Sequence, residues 1–315
     1  MSEKVEKPTN YYVPEQSKLP IIGSVGLFVT VLGAGNYIHN TTGVVKAEEG
    51  SLPSIMASMG PYILAIGAFI IFYLMWKWWS TAARESMANM NSAQLDRSYR
   101  QGMMWFITSE VMFFAAFFGA LWYIRVFALP WLGGEGVDGH KAMTAVLEWP
   151  GFQNLWPLTV TPQEAKDGAG ASFSAMGAFG LPAINTAILL TSSWTLTIAH
   201  HALIDRNRPT LILFTWLTAL LGAIFLCLQA YEYYHAYVDL GLTMGSGIYG
   251  STFFMLTGFH GLHVTIGTIF LIVLSIRCSK GHFTPENHFA YEAGAWYWHF
   301  VDVVWLFLFV FVYAI

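Results

Sequence analysis

The sequence predicts an all-α, polytopic membrane protein with seven transmembrane helices, on three observations. Hydrophobic residues make up 55% of its 315 positions and charged residues only 11%, against about 25% charged in an ordinary soluble domain. Mean hydropathy is +0.50. The apolar residues fall into seven runs, each close to the roughly 20 residues that cross a bilayer as a helix. The runs are continuous rather than alternating, unlike the strands of an outer-membrane barrel. Open sheet edges cannot sit in lipid, so the spans are helical.

In chain order the runs cover residues 19–38, 61–79, 101–127, 181–203, 209–231, 248–276 and 290–315. Pro20, Pro61, Pro182 and Pro209 stand near helix starts, where a missing N–H costs little. Residues 1–18 form an N-terminal segment of mixed charge without a basic n-region or cleavage site, so the first run is expected to remain as an anchor. Residues 19–79 then carry helices 1 and 2. Residues 80–100 form a polar connection long enough for a short surface helix. Residues 101–315 carry helices 3–7, with a long outer loop at 130–180. That loop is Gly-rich and mildly acidic, with Glu135, Asp138, Glu148, Glu164 and Asp167, and is read as solvated surface. No internal or inverted repeat is visible.

Basic residues set the orientation. With the N-terminus in the cytoplasm, the inner segments hold eleven: Lys4, Lys7, Lys18, Lys77, Arg84, Arg97, Arg100, Arg206, Arg208, Arg277 and Lys280. The outer segments hold four, Lys46, Arg125, Lys141 and Lys166. Seven spans leave the C-terminus on the periplasmic side. A net charge of -4 argues against a nucleic-acid partner. Cys227 and Cys278 lie in or beside apolar runs and resemble neither a disulfide framework nor a metal site. The seventh run has no lysine for a Schiff base, and neither GxxxxGK[ST] nor GxGxxG occurs.

Titratable side chains inside the spans carry whatever chemistry the chain has, because they are costly there. Eight of the ten histidines follow position 199. His260 and His263 share a helix face, yet they lie about 18–22 Å in from the outer end. His200, His201, His282 and His288 sit at the inner side and His235 at the outer. A di-iron enzyme would gather its histidines at one surface, so no metal site is expected. Glu110 lies about 14 Å deep in the third run and Asp302 about 18 Å deep in the seventh. Each must be neutral, paired, or facing a polar or headgroup-lined cavity. His299, three residues before Asp302, is its natural local partner, and the two are expected to form a structural polar pair. For Glu110, with no partner on its own helix, a proton-relay or lipid-headgroup role and a packing role stand equal. Trp76, Trp78 and Trp79 mark the inner interface beside Lys77 and Arg84, where basic residues also bind anionic headgroups.

Four stretches resemble subunit III of the haem-copper oxidases, specifically the aa3-type cytochrome c oxidases: GMMWFITSEVMFF, LPAINTAILLTSSWTLTIAHHALI, GIYGSTFFMLTGFHGLHVTIGTIFL and HFTPENHFAYEAGAWYWHFVDVVWLFLFV. The resemblance implies seven helices, with helices 1 and 2 separated from 3–7 by a lipid-filled cleft. It implies a subunit with no redox centre, cofactor or metal of its own, carrying bound phospholipids. Haem a and copper would reside in partner subunits I and II, and cytochrome c would donate electrons to the complex. Such a subunit stabilises subunit I and supports proton uptake. By motif position Glu110 matches the family's carbodiimide-reactive intramembrane carboxylate. Trp78, Trp79, Arg84 and Glu85 match a lipid-contacting segment, and His282, His288 and Glu292 a stretch near the lipid cleft. The family often has histidines after the WW…RE segment, whereas SMANMNSAQLDRS has none. The long outer loop points to a bacterial inner membrane. Subunit III of a quinol oxidase is the near alternative, although it usually has five helices. A di-iron enzyme and a proton-coupled transporter using Glu110 and Asp302 are the remote ones.

Overall fold

The computed structural model describes residues 16–41, 58–135 and 143–315. Lys4, Lys7, Lys46, Asp138 and Lys141 lie outside them. Among the described residues, seven helices are long and apolar enough to cross a membrane. They are α1 (Leu19–Thr41), α2 (Gly60–Met87), α3 (Ala93–Tyr123), α4 (Leu181–Ile204), α5 (Arg208–Val238), α6 (Gly247–Ser279) and α7 (Phe289–Leu308). π-Helical turns extend α3 through Ile124–Ala128 and α7 through Phe309–Ala314.

The connection expected over residues 80–100 is mostly helix. α2 runs on to Met87 and α3 begins at Ala93, leaving only residues 88–92 between them. A helix need not stop at the membrane surface, and Ala82, Ala83, Arg84 and Glu85 are good helix formers. With its extensions, α3 continues for 40 residues, or about 60 Å, twice the roughly 30 Å of bilayer hydrocarbon.

The chain divides into two compact units, residues 1–98 and 99–315. In the first, α1 packs along α2 through glycines. A Cβ on Gly33 would come within 2.3 Å of the Leu64 backbone nitrogen, and one on Gly67 within 2.5 Å of that of Thr30. Only a missing side chain permits such backbone approach, the usual means of joining helices in lipid.

The second unit is built around α7, whose spanning window is 56% buried against 33–44% for α4, α5 and α6. Trp298 and Trp305 are fully enclosed. The Trp298 ring lies over Gly222, where a Cβ would sit 2.6 Å from it. Indole nitrogens need acceptors when buried: Trp298 donates to Ser192 Oγ at 2.9 Å and Trp305 to Thr186 Oγ1 at 2.9 Å, both on α4. Hydroxyl contacts also join the helices, Thr195 to Thr218 at 2.8 Å and Thr215 to Tyr291 at 3.0 Å. At the C-terminal ends of α5 and α7, Tyr313 donates to the buried Glu232 at 2.6 Å.

The outer loop is more than solvated surface. Lys166 and Glu148 are exposed, but Leu158, Phe173 and Met176 are buried. The Met176 amide donates to the Tyr249 hydroxyl and Phe173 stacks on that ring, fastening the loop over α6. Thr161 caps the helix Pro162–Lys166 reciprocally with Glu164. The Thr161 backbone N–H, then its hydroxyl, hold the Glu164 carboxyl below its usual value.

Candidate functional site

Glu110 has a partner on another helix. Its Oε2 lies 2.9 Å from His263 Nε2 on α6. His263 Nδ1 is 2.7 Å from the Phe259 carbonyl oxygen, which only accepts, so Nδ1 carries a hydrogen. The remaining contact then holds a single proton between Nε2 and the carboxyl. Imidazolium with carboxylate, and imidazole with carboxylic acid, are both net neutral, so the pair adds no charge to the membrane interior. Phe113, Phe114 and Tyr297 rings surround the imidazole. The carboxyl side remains partly open, at 23% against 11% for His263.

Sequence reasoning missed His263 as this partner, although a depth count contains the signal. Glu110 lies 17 residues after the start of α3 and His263 16 residues before the end of α6, depths of about 26 and 24 Å. Starting α3 at residue 101 concealed the match.

Starting at Val111 and Phe114, next to this pair, a groove of about 740 Å³ runs between α3 and α7 toward their C-terminal ends, lined also by Phe118, Trp122, Val303, Phe307 and Phe311. Arg125 is its only charged lining residue. The guanidinium donates to the Ile315 carbonyl oxygen at 2.7 Å and lies 5.1 Å from the Trp156 ring centre. A cation at the interfacial end of an apolar slot is an arrangement suited to an amphiphile.

At the N-terminal end of α7, Arg100 on α3 donates to Glu292 at 2.5 Å. The rings of His200 and His288 approach to 5.7 Å. His282 lies in the turn after α6, where burial, then the nearby Arg277 and Lys280 charges, lower its pKa. Arg206 and Glu286 form an exposed pair at 2.6 Å. The second unit therefore brings Glu292 near α3 and places His288 at the start of α7. Trp78, Trp79, Arg84 and Glu85 belong to α2 in the first unit. Trp78 and Trp79 are exposed there, and Arg84 bonds only locally among its described contacts, to Ser80 and Thr81.

His299 and Asp302 share a face of α7 without bonding each other. His299 Nδ1 pairs with Ser193 Oγ on α4 at 2.6 Å, while neither carboxyl oxygen of Asp302 meets a hydrogen-bond partner. The serine intervenes because α4 packs against this face, which a one-helix periodicity argument cannot register. Among the described residues no three His, Cys, Asp or Glu side chains converge to hold a metal ion. His260 is fully buried and its Nε2 donates to the Val301 carbonyl at 3.2 Å.

Comparison with known proteins gives one family. The model of cytochrome c oxidase subunit III matches residues 9–135 and 159–315. Cytochrome c oxidase subunit 3 of Latimeria chalumnae is 37% identical over 305 residues, covering 96% of each chain. The Marchantia polymorpha protein of that name is 36% identical over 304 residues, covering 96% of this chain and 95% of its own. That of Pelomedusa subrufa is 40% identical over 253 residues, covering 80% and 83%.

Proposed function

This chain belongs to the cytochrome c oxidase subunit III family, and from that membership we propose that it serves its complex by holding phospholipid against α3 and α7. As a multi-pass subunit of the respiratory oxidase it works with other subunits. The reduction of dioxygen by electrons from cytochrome c is assigned to haem a and copper in partner subunits I and II. This subunit stabilises subunit I and supports proton uptake from the inner surface. The observation that carries the reading is the apolar groove beside Glu110, closed at one end by Arg125. A neutral Glu110–His263 pair can lie beside acyl chains without leaving an uncompensated charge. At the inner interface, Trp78, Trp79, Arg84 and Glu85 on α2 are the headgroup contacts proposed for one unit, and His282, His288 and Glu292 those for the other. The excess of basic residues supports an N-terminus in the cytoplasm and a C-terminus in the periplasm. The long outer loop supports a bacterial plasma membrane as the setting.

Glu110→Gln tests the lipid role. The purified oxidase should assemble and turn over nearly as before, while retained phospholipid falls and carbodiimide labelling of this chain disappears. Loss of proton pumping in an intact complex with unchanged lipid content would replace the lipid role with a proton relay.

A further inference from the structure

Trp296, His299 and Val303 share the one strip of α7 that the chain leaves uncovered at mid-span. His299 stands ten residues after the start of the span at Phe289 and fifteen before its end at Ala314, about 15 and 22 Å from the two ends. At that depth neither a headgroup nor interfacial water is at hand. One ring nitrogen is satisfied inside the chain, since Nδ1 pairs with Ser193 Oγ on α4 at 2.6 Å. The other lies at the outer edge of a half-buried ring. Among the described residues, Nε2 meets no hydrogen-bond partner. Whichever tautomer is present, Nε2 is either a donor or an acceptor, and hydrocarbon answers neither. Beside it on α4, Leu190, Ser193 and Thr197 share a face, and none of the three is buried. Thr197 spends its hydroxyl on the Ser193 carbonyl oxygen at 2.9 Å. Small hydroxyl-bearing side chains of this kind let a second helix come close in lipid.

We propose that the α4–α7 seam centred on His299 docks a transmembrane helix of a partner subunit, which presents a polar side chain to His299 Nε2 at mid-span. The Ser193 bond holds the imidazole by its inner edge, so the outer nitrogen is aimed before the partner arrives. A single hydrogen bond between membrane helices adds little affinity, and its main effect is to fix register. A partner displaced by one helical turn, about 5.4 Å, would leave Nε2 against an apolar side chain. The seam is separate from the Glu110–His263 pair, which joins α3 to α6. The inference rests on this chain working beside other subunits, and not on the lipid reading.

Photo-crosslinking in the intact oxidase tests the docking face. A diazirine-bearing amino acid in place of Leu190 or of Val303 should join this chain to a partner subunit on irradiation. Adducts with phospholipid alone would overturn the proposal. The polar contact has its own test, the rate at which this chain leaves the purified oxidase in detergent. His299→Gln keeps a polar group where Nε2 stands, and His299→Asn keeps one where Nδ1 stands. His299→Asn and His299→Leu should be released about threefold faster than wild type, the effect of an average hydrogen bond between membrane helices. His299→Gln should be retained. Retention of His299→Asn with release of His299→Gln would show that only the Ser193 bond matters, and would overturn the partner contact. Should a His299 variant not assemble, the crosslinks at Leu190 and Val303 decide alone, because both leave His299 in place. A wild-type chain that does not copurify with other oxidase subunits would overturn the subunit reading itself, an outcome distinct from lipid adducts in an intact complex.

Discussion

At the residue scale, the interior of the second unit is governed by the cost of unpaired polar groups. Glu110 and His263 share one proton across 2.9 Å, and each makes the other affordable in an apolar setting. Removing one partner of such a pair costs about 3–5 kcal/mol, whereas replacing both by apolar groups of similar size costs far less. His263→Leu should therefore lower the thermal unfolding midpoint of the assembled chain strongly. Adding Glu110→Leu to it should recover most of the loss. Additive losses in that double-mutant cycle would show that the two side chains are independent. His260, three residues away, differs because its hydrogen bond goes to a backbone carbonyl, Val301. Helical spacing puts the two histidines on one face and says nothing of what each meets. That depends on α3 and α7, which lie far away in sequence.

At the element scale, α1 and α2 hold together by a different device from α4–α7. The latter use indole and hydroxyl hydrogen bonds around Trp298 and Trp305, while α1 and α2 rely on backbone approach at Gly33 and Gly67. Gly67→Ile should weaken the first unit, because its Cβ would meet the Thr30 backbone, which cannot step aside. Overpacking of this kind costs about 1–3 kcal/mol or more. Gly35→Ile is the control, since nothing lies within 4 Å of its Cβ position. Proteolysis of α1–α2 in membranes should quicken with the first change and not with the second. Equal effects would mean that the loss comes from the bulk of isoleucine and not from this contact.

At the scale of the whole molecule, the chain is asymmetric in charge, and the proposed orientation has a direct check. In a Cys227→Ser background, a cysteine replacing Lys166 should react with a membrane-impermeant thiol reagent in intact cells. One replacing Arg206 should react only after the membrane is opened. Both positions are substantially exposed, so accessibility depends on the side of the membrane. The reverse pattern would turn the topology over and exchange inner and outer assignments for every loop.

The sequence by itself determined the fold class, the number of spans and the family. These depend on local quantities: the length of apolar runs, the sign of loop charges, and contiguous motifs such as WYWHFVDVVWLF. It also marked Glu110, His299 and Asp302, because a titratable group in an apolar run is visible without any knowledge of its neighbours. Only the tertiary structure decided what those groups meet. His263 reaches Glu110 across 153 positions, and Ser193 reaches His299 across 106. Helical periodicity reports the face of a single helix, whereas a hydrogen bond between helices depends on their packing, relative depth and rotation. Small errors in a helix start therefore hid the first partner, and the second lay on a helix that a search along α7 alone does not include.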